Sequence, residues 1–452
     1  VFSNAQSQQA VCAPSRISFM TGMRPDYTRV WDLKTKMRDM NPDILTMPQY
    51  FRDNGYNTLG LGKVFHGARK NDRISWSHPF IENKDLTSAK GYEPPANGNY
   101  QSKEAQELYS ELTKKYAGDL NNNNTWRKLR NEMKRAGVRK SVEAIEVPDD
   151  AYTDGAITLE SIRQMEKLSK MKKPFFIAIG FHKPHLPFVA PKKYWDLYDR
   201  EEIGLAAYQK KAEGAPSYAY HKFPELKNYS DIPPNLTPEG RVKEDKQKEL
   251  VHGYYAAVSY IDAQVGKVLD YLEASGLKAN TSIVLVGDHG WHLGDHGLWN
   301  KHSNYEQATR TPLMIYTPDN SMPRQISSPV ELIDIFPSLC DLSGLKIPNS
   351  LQGMSLFKVM KGDIDEIKKV ALSQYPRNGN RMGYAVRSDR YRYIMWYLGD
   401  YTDRENFDDS RILAEELYDY AADPLEKVSL QDQQEYDQIK DKLKQQLISV
   451  VW

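Results

Sequence analysis

The chain has 452 residues, enough for about two to four domains or for one large α/β domain with an appendage. Its 61 Lys and Arg residues balance 60 Asp and Glu residues, and a formal charge of +1 excludes a global preference for nucleic acid or anionic membranes. A mean hydropathy of −0.68, without an apolar run of about 18 residues, excludes a membrane-spanning helix and predicts a globular protein.

The sequence shows neither a targeting segment nor a disulfide framework. The chain begins at Val1 without a basic or an apolar leader region, so we expect any targeting peptide to lie outside this sequence. Its two cysteines, Cys12 and Cys340, are too few for a disulfide framework. Each cysteine is therefore interpreted individually.

Four apolar runs have the length of β-strands and are continuous rather than alternating, at 58–61, 175–179, 283–286 and 313–316. Such runs are typical of strands that are buried on both faces of a parallel sheet. Helical patterns lie between them, and the clearest covers 254–272, with Gly276 as its predicted stop. Together they predict an α/β sheet with helices on both faces.

The pattern changes after about residue 361. A charged stretch is followed by two alternating segments, 384–387 and 391–396, which predict short antiparallel strands with one solvent-exposed face. A helix near 434–448 is expected to close this part of the chain.

We therefore divide the chain into a large domain, 1–360, and a smaller C-terminal subdomain, 361–452. Within the large domain, residues 94–145 are polar and loop-rich, and 121–124 are predicted to be their least structured point. The basic segment 126–140 is interpreted as a solvated helix face, with a contact for polyanions as the alternative.

The most specific signal is Cys-Ala-Pro-Ser-Arg at 12–16, followed by Thr-Gly at 21–22. A cysteine is ordinarily a small buried hydrophobe. This motif, however, resembles the signature of type I sulfatases, whose cysteine is oxidised to formylglycine. The flanking residues at 8–11, 23–26 and 62–66 resemble the iduronate-2-sulfatase branch of that family in particular.

The resemblance implies an α/β, alkaline-phosphatase-like sandwich: a large mixed, mostly parallel sheet flanked by helices, with a C-terminal α+β subdomain that holds an antiparallel sheet. It also implies that a hydrated aldehyde at position 12 takes the sulfuryl group on one hydroxyl and expels sulfate after deprotonation of the other. Negative charge on the sulfate oxygens calls for cations and a divalent metal. One Ca2+ ion and a formylglycine-generating maturation enzyme are thus the implied cofactor and partner.

By this resemblance the catalytic residues are Cys12, Arg16, Lys63, His66, His185 and Lys301. Several of them directly follow predicted strands, and an α/β sheet presents its ligand-binding groups outside the carboxyl ends of its strands. His185 is the expected proton donor to the departing sugar oxygen, with His182 and Lys183 as second choices. A purely structural histidine is the alternative at this position.

Asp288 and His289, which follow the run at 283–286, are the implied metal ligands together with Cys12. Calcium prefers oxygen ligands, so Asp288 is the firmer assignment. A rival interpretation is a zinc site, because His292 and His296 have a zinc-like spacing for a helix. Three glycines in this stretch argue against a helix and favour a loop.

Four residues are candidates for substrate binding: Lys183, Trp291, His302 and Arg377. Packing is an equal alternative for Trp291 and His302. Arg377 could bind a substrate carboxylate through its guanidinium, and a solvated surface arginine is the alternative. Cys340, which has apolar neighbours, is predicted to fill the core.

The implied function is that of a periplasmic or secreted sulfatase that acts from the chain end on a uronate-2-sulfate or similar polysaccharide-derived unit. The alternatives are a sulfatase of another glycan, such as an algal one, a phosphoester hydrolase on the same scaffold, and a non-catalytic polyanion-binding protein. Type I sulfatases also carry two metal-binding aspartates on a strand ahead of the cysteine motif. We expect that strand to lie before Val1, outside this sequence.

Overall fold

The computed structural model describes residues 1–66, 72–87, 100–117, 122–222, 225–233, 242–318, 323–399 and 406–452. The strands of these residues are β1 (Ala5–Gln6), β2 (Asn57–Gly62), β3 (Val142–Ile145), β4 (Phe175–Gly180), β5 (Phe188–Pro191), β6 (Ile283–Val286), β7 (His292–Leu293), β8 (Trp299–Asn300), β9 (Leu313–Tyr316), β10 (Val330–Glu331), β11 (Ala371–Arg377), β12 (Arg381–Arg387), β13 (Tyr391–Leu398) and β14 (Ile412–Asp419). The helices are α1 (Cys12–Thr21), α2 (Pro25–Thr28), α3 (Met37–Met40), α4 (Met47–Asp53), α5 (Lys103–Lys115), α6 (Asn123–Arg135), α7 (Thr153–Ser169), α8 (Lys192–Trp195), α9 (Glu244–Ala274), α10 (Glu306–Thr309), α11 (Ile335–Leu342), α12 (Phe357–Lys361) and α13 (Asp437–Val451).

Parallel pairing joins β1 with β10, β2 with β4, and β3 with β5. The runs predicted at 58–61 and 175–179 are β2 and β4, and their register sets Leu61 opposite Ile179. The predicted arrangement of parallel strands and flanking helices is confirmed for this part of the molecule. The carboxyl ends of β2 and β4 consequently lie side by side.

The other two predicted runs are β6 and β9, but they pair antiparallel, with Val286 opposite Leu313. The prediction of parallel pairing and two-sided burial is wrong for this pair: β6 is half-buried, and Met314 and Tyr316 of β9 are exposed. The segment that connects the two strands explains the difference. Residues 287–312 contain only the four-residue helix α10, whereas a parallel pair needs a crossover that is usually helical.

The helix predicted at 254–272 is the central part of α9, a 31-residue helix. Glu244 and Asp245 lie in its first turn, where carboxylates interact favourably with the helix dipole. Gly276 follows its end with a φ of 73°, so the predicted stop is confirmed. At Gly253 the helix approaches β5 so closely that an added Cβ would lie 2.9 Å from Phe188.

The C-terminal part forms the antiparallel sheet β11-β12-β13-β14, as predicted, and α13 covers one of its faces. The prediction of a solvent-exposed second face is wrong. Ala385, Ile394 and Trp396 on that face belong to the same hydrophobic core as β5 and α9. Its charged residue Arg392 is fully buried against Glu306. The charged position in the alternating pattern therefore forms a buried ion pair instead of facing the solvent.

The prediction that 94–145 is loop-rich is wrong for its described part, which contains α5, α6 and β3, and residues 123 and 124 of the stretch predicted to be least structured begin α6. Residues 94–99 and 118–121 lie outside the described residues. Leu129 and Met133 bury one side of α6, and the basic residues Arg127, Lys128, Arg130 and Arg135 are exposed, as expected for a solvated helix face. Cys340 has no exposed surface and belongs to the core beneath α1, which confirms its predicted role. None of the helices in the described ranges has the length and apolar character needed to cross a membrane.

Candidate active site

Cys12 is the first residue of α1, after Val11 in an extended conformation. Pro14 is accommodated because the first turn of a helix has no intrahelical partner for its amide groups. The helix ends at Gly22, whose φ of 68° suits a residue without a Cβ. The motif therefore folds so that the side chain at position 12 stands at a helix N-terminus, where negative charge is stabilised.

Two glycines bring Lys63 beside this helix. Gly62 ends β2 with a φ of 72°, and a Cβ added there would lie 2.2 Å from the carbonyl oxygen of Gly180. The Lys63 amide donates to that same oxygen at 2.7 Å. Lys63 Nζ then lies 3.6 Å from Cys12 Sγ.

Arg16, one turn after Cys12, connects α1 to the ends of two strands. Its Nε donates to Asp288 Oδ2 at 2.8 Å, and its NH1 donates to the carbonyl oxygens of Lys63 and Val64. Burial by itself raises the pKa of Asp288, but the charges of Arg16, His289 and Lys63 together outweigh it and lower the value to about 2. Ser15 Oγ donates to the backbone carbonyl of Asp288, so the two motifs are fixed to each other.

The side chains of Cys12, Asp288 and His289 have possible ligand atoms that all lie within 4.8 Å of one another. His289 Nε2 is 3.5 Å from Cys12 Sγ, and its Nδ1 is held by the carbonyl of Gly290 at 2.8 Å. An ionised carboxylate and an imidazole nitrogen fit part of the coordination shell of a divalent metal. Calcium, with its usual six to eight oxygen ligands, would take further ligands beyond these three.

Cationic side chains surround the Cys12 thiol. Burial alone would raise the pKa of this thiol, but the charges of Lys301 and Lys63 hold it well below its usual range. Hydrogen bonds with His185 and His289 act in the same direction. The same field would stabilise an anionic nucleophile or a sulfate group at this position.

His185 and Lys301 form a hydrogen-bonded pair, with 3.2 Å between Nε2 and Nζ. His185 Nδ1 lies 2.7 Å from the carbonyl oxygen of Leu186, which can only accept, so Nδ1 carries the proton. Its Nε2 then accepts from the Lys301 ammonium. Burial, together with the Lys301 charge, lowers the pKa of His185 and favours this neutral form.

Trp291 forms one wall of the site. Its ring centroid is 5.5 Å from that of His185 and 4.7 Å from Lys301 Nζ, a cation–π distance. The ring also stacks near His289, at 6.2 Å and 18° between planes. Trp291 thus contacts both the His185–Lys301 pair and His289, in addition to packing on Phe188.

His182 and Lys183, the second choices for the proton donor, follow β4 and are held by contacts with Asp154 and the backbone. The carboxylate of Asp154, on α7, accepts the backbone amides of His182 and Lys183 at 2.7 and 3.0 Å. Lys183 Nζ donates to the carbonyls of His185 and Pro187. These contacts shape the loop that carries His185, and they direct the Lys183 ammonium toward the backbone.

His302 lies on the other side of Lys301. Its Nδ1 is 2.6 Å from Tyr375 Oη, and its Nε2 is 3.0 Å from Glu225 Oε1. Arg377 is next to this group, but its Nε and NH2 donate to the backbone carbonyls of residues 218, 219 and 302. The guanidinium therefore braces the chain around His302, and it also lies 4.7 Å from the Tyr375 ring.

His66 is half-buried at the end of the β2 loop, and its Nδ1 has no hydrogen-bond partner within the described residues. His292 and His296 do not form a helical pair: His292 lies in β7, and His296 follows in a turn with a φ of 55°. His292 is bound to Ser303 Oγ, and His296 stacks on Tyr305. The expectation of a loop instead of a zinc-binding helix is confirmed.

Two acidic residues of the site were missed by the sequence interpretation. Asp154 anchors the His185 loop, and Glu225 contacts Lys301, His185 and His302. Neither belongs to a motif, and Glu225 stands alone in a polar segment far from the others in sequence. Only its position next to three site side chains distinguishes it from a surface glutamate.

Two family models match the chain: the sulfatase model at residues 1–345, and the C-terminal model of N-sulphoglucosamine sulphohydrolase at residues 294–451. Iduronate 2-sulfatase of Mus musculus is 34% identical over 494 aligned residues, which cover 94% of this chain and 83% of the relative.

Two solved structures are similar in fold. BT4656, in complex with its substrate D-glucosamine-2-N,6-O-disulfate, gives a TM-score of 0.71 at 20% identity over 99% of this chain and 89% of that one. Phosphonate monoester hydrolase of Agrobacterium radiobacter gives 0.70 at 18% identity over 99% and 88%. These likenesses confirm the alkaline-phosphatase-like α/β fold. Since the sulfatase model matches most of the chain and a sulfatase is 34% identical over nearly all of it, the chain belongs to the sulfatase family and is a sulfuric ester hydrolase.

Proposed function

We propose that this protein hydrolyses a sulfate ester of a saccharide, acting from the chain end on a uronate-2-sulfate or similar polysaccharide-derived unit. The observation that carries the proposal is the position of Cys12 at the start of α1, with Lys63 Nζ at 3.6 Å and His289 Nε2 at 3.5 Å. The similarity to iduronate 2-sulfatase supports the choice of sugar.

The proposed nucleophile is the formylglycine hydrate derived from Cys12, produced by a maturation enzyme. It would supply an oxygen nucleophile for sulfur and a second hydroxyl for the release of sulfate. Lys63 and Lys301 bind and orient the sulfate through their charges. Arg16 keeps Asp288 ionised and fixes α1 against the ends of β2 and β6.

His185 is the proposed proton donor to the departing sugar oxygen. Its Nε2 accepts from Lys301 Nζ in the neutral form, so the proton that His185 would pass to the leaving oxygen is one taken up at Nε2, which forms the imidazolium. The lowered pKa of His185 makes that imidazolium a stronger acid. Asp288 and His289 would hold a Ca2+ ion, which would stabilise negative charge on the sulfate oxygens when bound. His66, Trp291 and His302 are proposed to line the substrate site.

Peptide mass analysis across residue 12 tests the nucleophile, since an aldehyde in place of the thiol changes the mass of that peptide alone. Turnover on an iduronate-2-sulfate disaccharide, an algal sulfated oligosaccharide, an aryl sulfate and the matched aryl phosphate tests the substrate class. We expect the disaccharide to give the highest kcat/KM and the aryl phosphate the lowest. A preference for the phosphate would favour a phosphoester hydrolase instead.

Arg377 offers a sharper test of sugar recognition. If it binds a uronate carboxylate, Arg377→Lys lowers kcat/KM for the uronate sulfate more than for a sulfated sugar without a carboxylate. An equal decrease in kcat/KM on both substrates would mean that Arg377 only supports the backbone of residues 218, 219 and 302.

We further propose a periplasmic or secreted location, because polysaccharide-derived substrates are met outside the cytoplasm. Cell fractionation tests this location.

A further inference from the structure

Glu225 contacts three side chains of the site through one carboxylate. Its Oε1 lies 2.8 Å from Lys301 Nζ and 3.0 Å from His302 Nε2. Its Oε2 lies 3.0 Å from Lys301 Nζ and 3.4 Å from His185 Nε2. We propose that Glu225 is a positioning residue for sulfate-ester hydrolysis, which acts by fixing the Lys301 ammonium in its place beside residue 12.

The Lys301 side chain has no exposed surface, and a buried charge is tolerated only when it is paired and hydrogen-bonded. Burial acts to lower the pKa of Lys301, and the Glu225 carboxylate acts to raise it through its charge and its hydrogen bond. Glu225 thus helps to keep this buried lysine charged.

The ammonium group of Lys301 has three N–H donors. Lys301 Nζ contacts both oxygens of Glu225 and the Nε2 of His185, which can together engage all three N–H groups. A lysine side chain is otherwise flexible, with four rotatable bonds to order. Glu225 therefore restricts the side-chain conformations of Lys301 in advance, so that their entropy does not have to be lost in each turnover.

Glu225 is itself held by the segment that carries it. Leu226 and Tyr229 are buried in the core of the large domain. Ser230 is bound to the backbone after α6, through its amide to Arg139 and its hydroxyl to Gly137. A carboxylate fixed by a packed segment can position a neighbour, whereas one on an unsupported surface loop could not.

This inference rests on the proposed role of Lys301 in binding the sulfate. The experiment compares Glu225→Gln, Lys301→Ala and the double variant with wild type, on an aryl sulfate and on an iduronate-2-sulfate disaccharide. The fraction converted at residue 12 is measured for each, and kcat is expressed per converted site. Glu202→Gln, the same change at an exposed residue, is the matched control.

We expect Glu225→Gln to lower kcat by about 100-fold on both substrates, since a misplaced group near the reacting centre can cost that much. KM should change by less than about threefold, because the lost contribution belongs to the transition state. In the Lys301→Ala background the same change should cost less than about twofold, since residues that act through one contact are not additive. Glu225→Asp, which keeps the charge, should recover part of the loss.

A comparable loss from Glu225→Gln in both backgrounds, or a change in KM alone, would overturn the proposal. A loss on the disaccharide but not on the aryl sulfate would also overturn it, because it would assign the effect to leaving-group protonation by His185. Crystal structures of wild type and Glu225→Gln provide a readout without turnover: Lys301 Nζ should leave its position 3.2 Å from His185 Nε2. If wild type hydrolyses neither sulfate, the proposed function fails, whereas an unmoved Lys301 contradicts the positioning role.

Discussion

Arg16 Nε donates to Asp288 Oδ2 at 2.8 Å, across 272 positions of the chain. The same guanidinium donates to the carbonyls of Lys63 and Val64. One side chain therefore connects the helix that carries Cys12 with the ends of β2 and β6. Both partners are largely buried, with 11% and 16% of their side chains exposed.

Arg16→Lys should lower kcat/KM by at least about 10-fold, because an ammonium cannot reach the carboxylate and the two carbonyls together. Arg16→Ala should also destabilise the fold by about 3–5 kcal/mol, since it leaves a buried carboxylate without its partner. Kinetics and denaturant unfolding measure the two effects. Arg163→Lys is the control, because Arg163 is half-exposed and its pair with Glu160 should be worth less than about 1 kcal/mol.

The two cysteines should behave oppositely. Cys12→Ala should abolish sulfate release while leaving the thermal unfolding midpoint within a few degrees of wild type. Cys340→Ala should cost about 1 kcal/mol of stability and leave kcat unchanged. Burial raises the pKa of the Cys340 thiol to about 12, so it stays a protonated thiol and its peptide keeps the mass of a cysteine. Residual turnover in Cys12→Ala would contradict the assignment.

Asp149 should make stability depend on pH. Burial alone would raise the pKa of Asp149, but hydrogen bonds from Lys193 and Lys267 outweigh it and lower the value to about 2. A pKa below that of the unfolded chain stabilises the fold above about pH 4 and ceases to do so as the pH falls toward 2. The contribution is at most about 2 kcal/mol. Asp149→Asn should remove this part of the dependence in urea unfolding at pH 7, 5 and 3; parallel curves for both proteins would refute it.

Calcium should raise the thermal unfolding midpoint of the wild type, because a ligand that binds only the folded state adds about 2.7 kcal/mol at one hundred times its Kd. Asp288→Asn should reduce or abolish this shift, since it removes the anionic oxygen ligand of the proposed site. A chelator should reverse the shift, and Mg2+ should replace Ca2+ poorly. An equal shift in the variant would place the metal elsewhere.

Much of the site could be predicted because its parts lie in local motifs. Cys12 and Arg16 belong to one motif, and Lys63, His185 and Asp288 follow predicted strands. The resemblance of these motifs to those of the sulfatase family grouped them into one site. The cation field around Cys12 follows from that grouping. Glu225 and Asp154 could not be found in this way, since an isolated acidic residue has no local pattern that separates it from a surface carboxylate.

Local features could be predicted from the sequence: the nucleophile motif, the strand runs, the central part of α9 and the family to which they belong. Features that depend on distant partners were set by the tertiary fold. β6 and β9 run antiparallel because of the path between them, and the second face of the C-terminal sheet is buried because Arg392 meets Glu306 there. Hydrophobic periodicity indicates which type of element a segment forms, but its burial, the direction of its pairing and the neutralisation of its charges are set by residues far away in the chain.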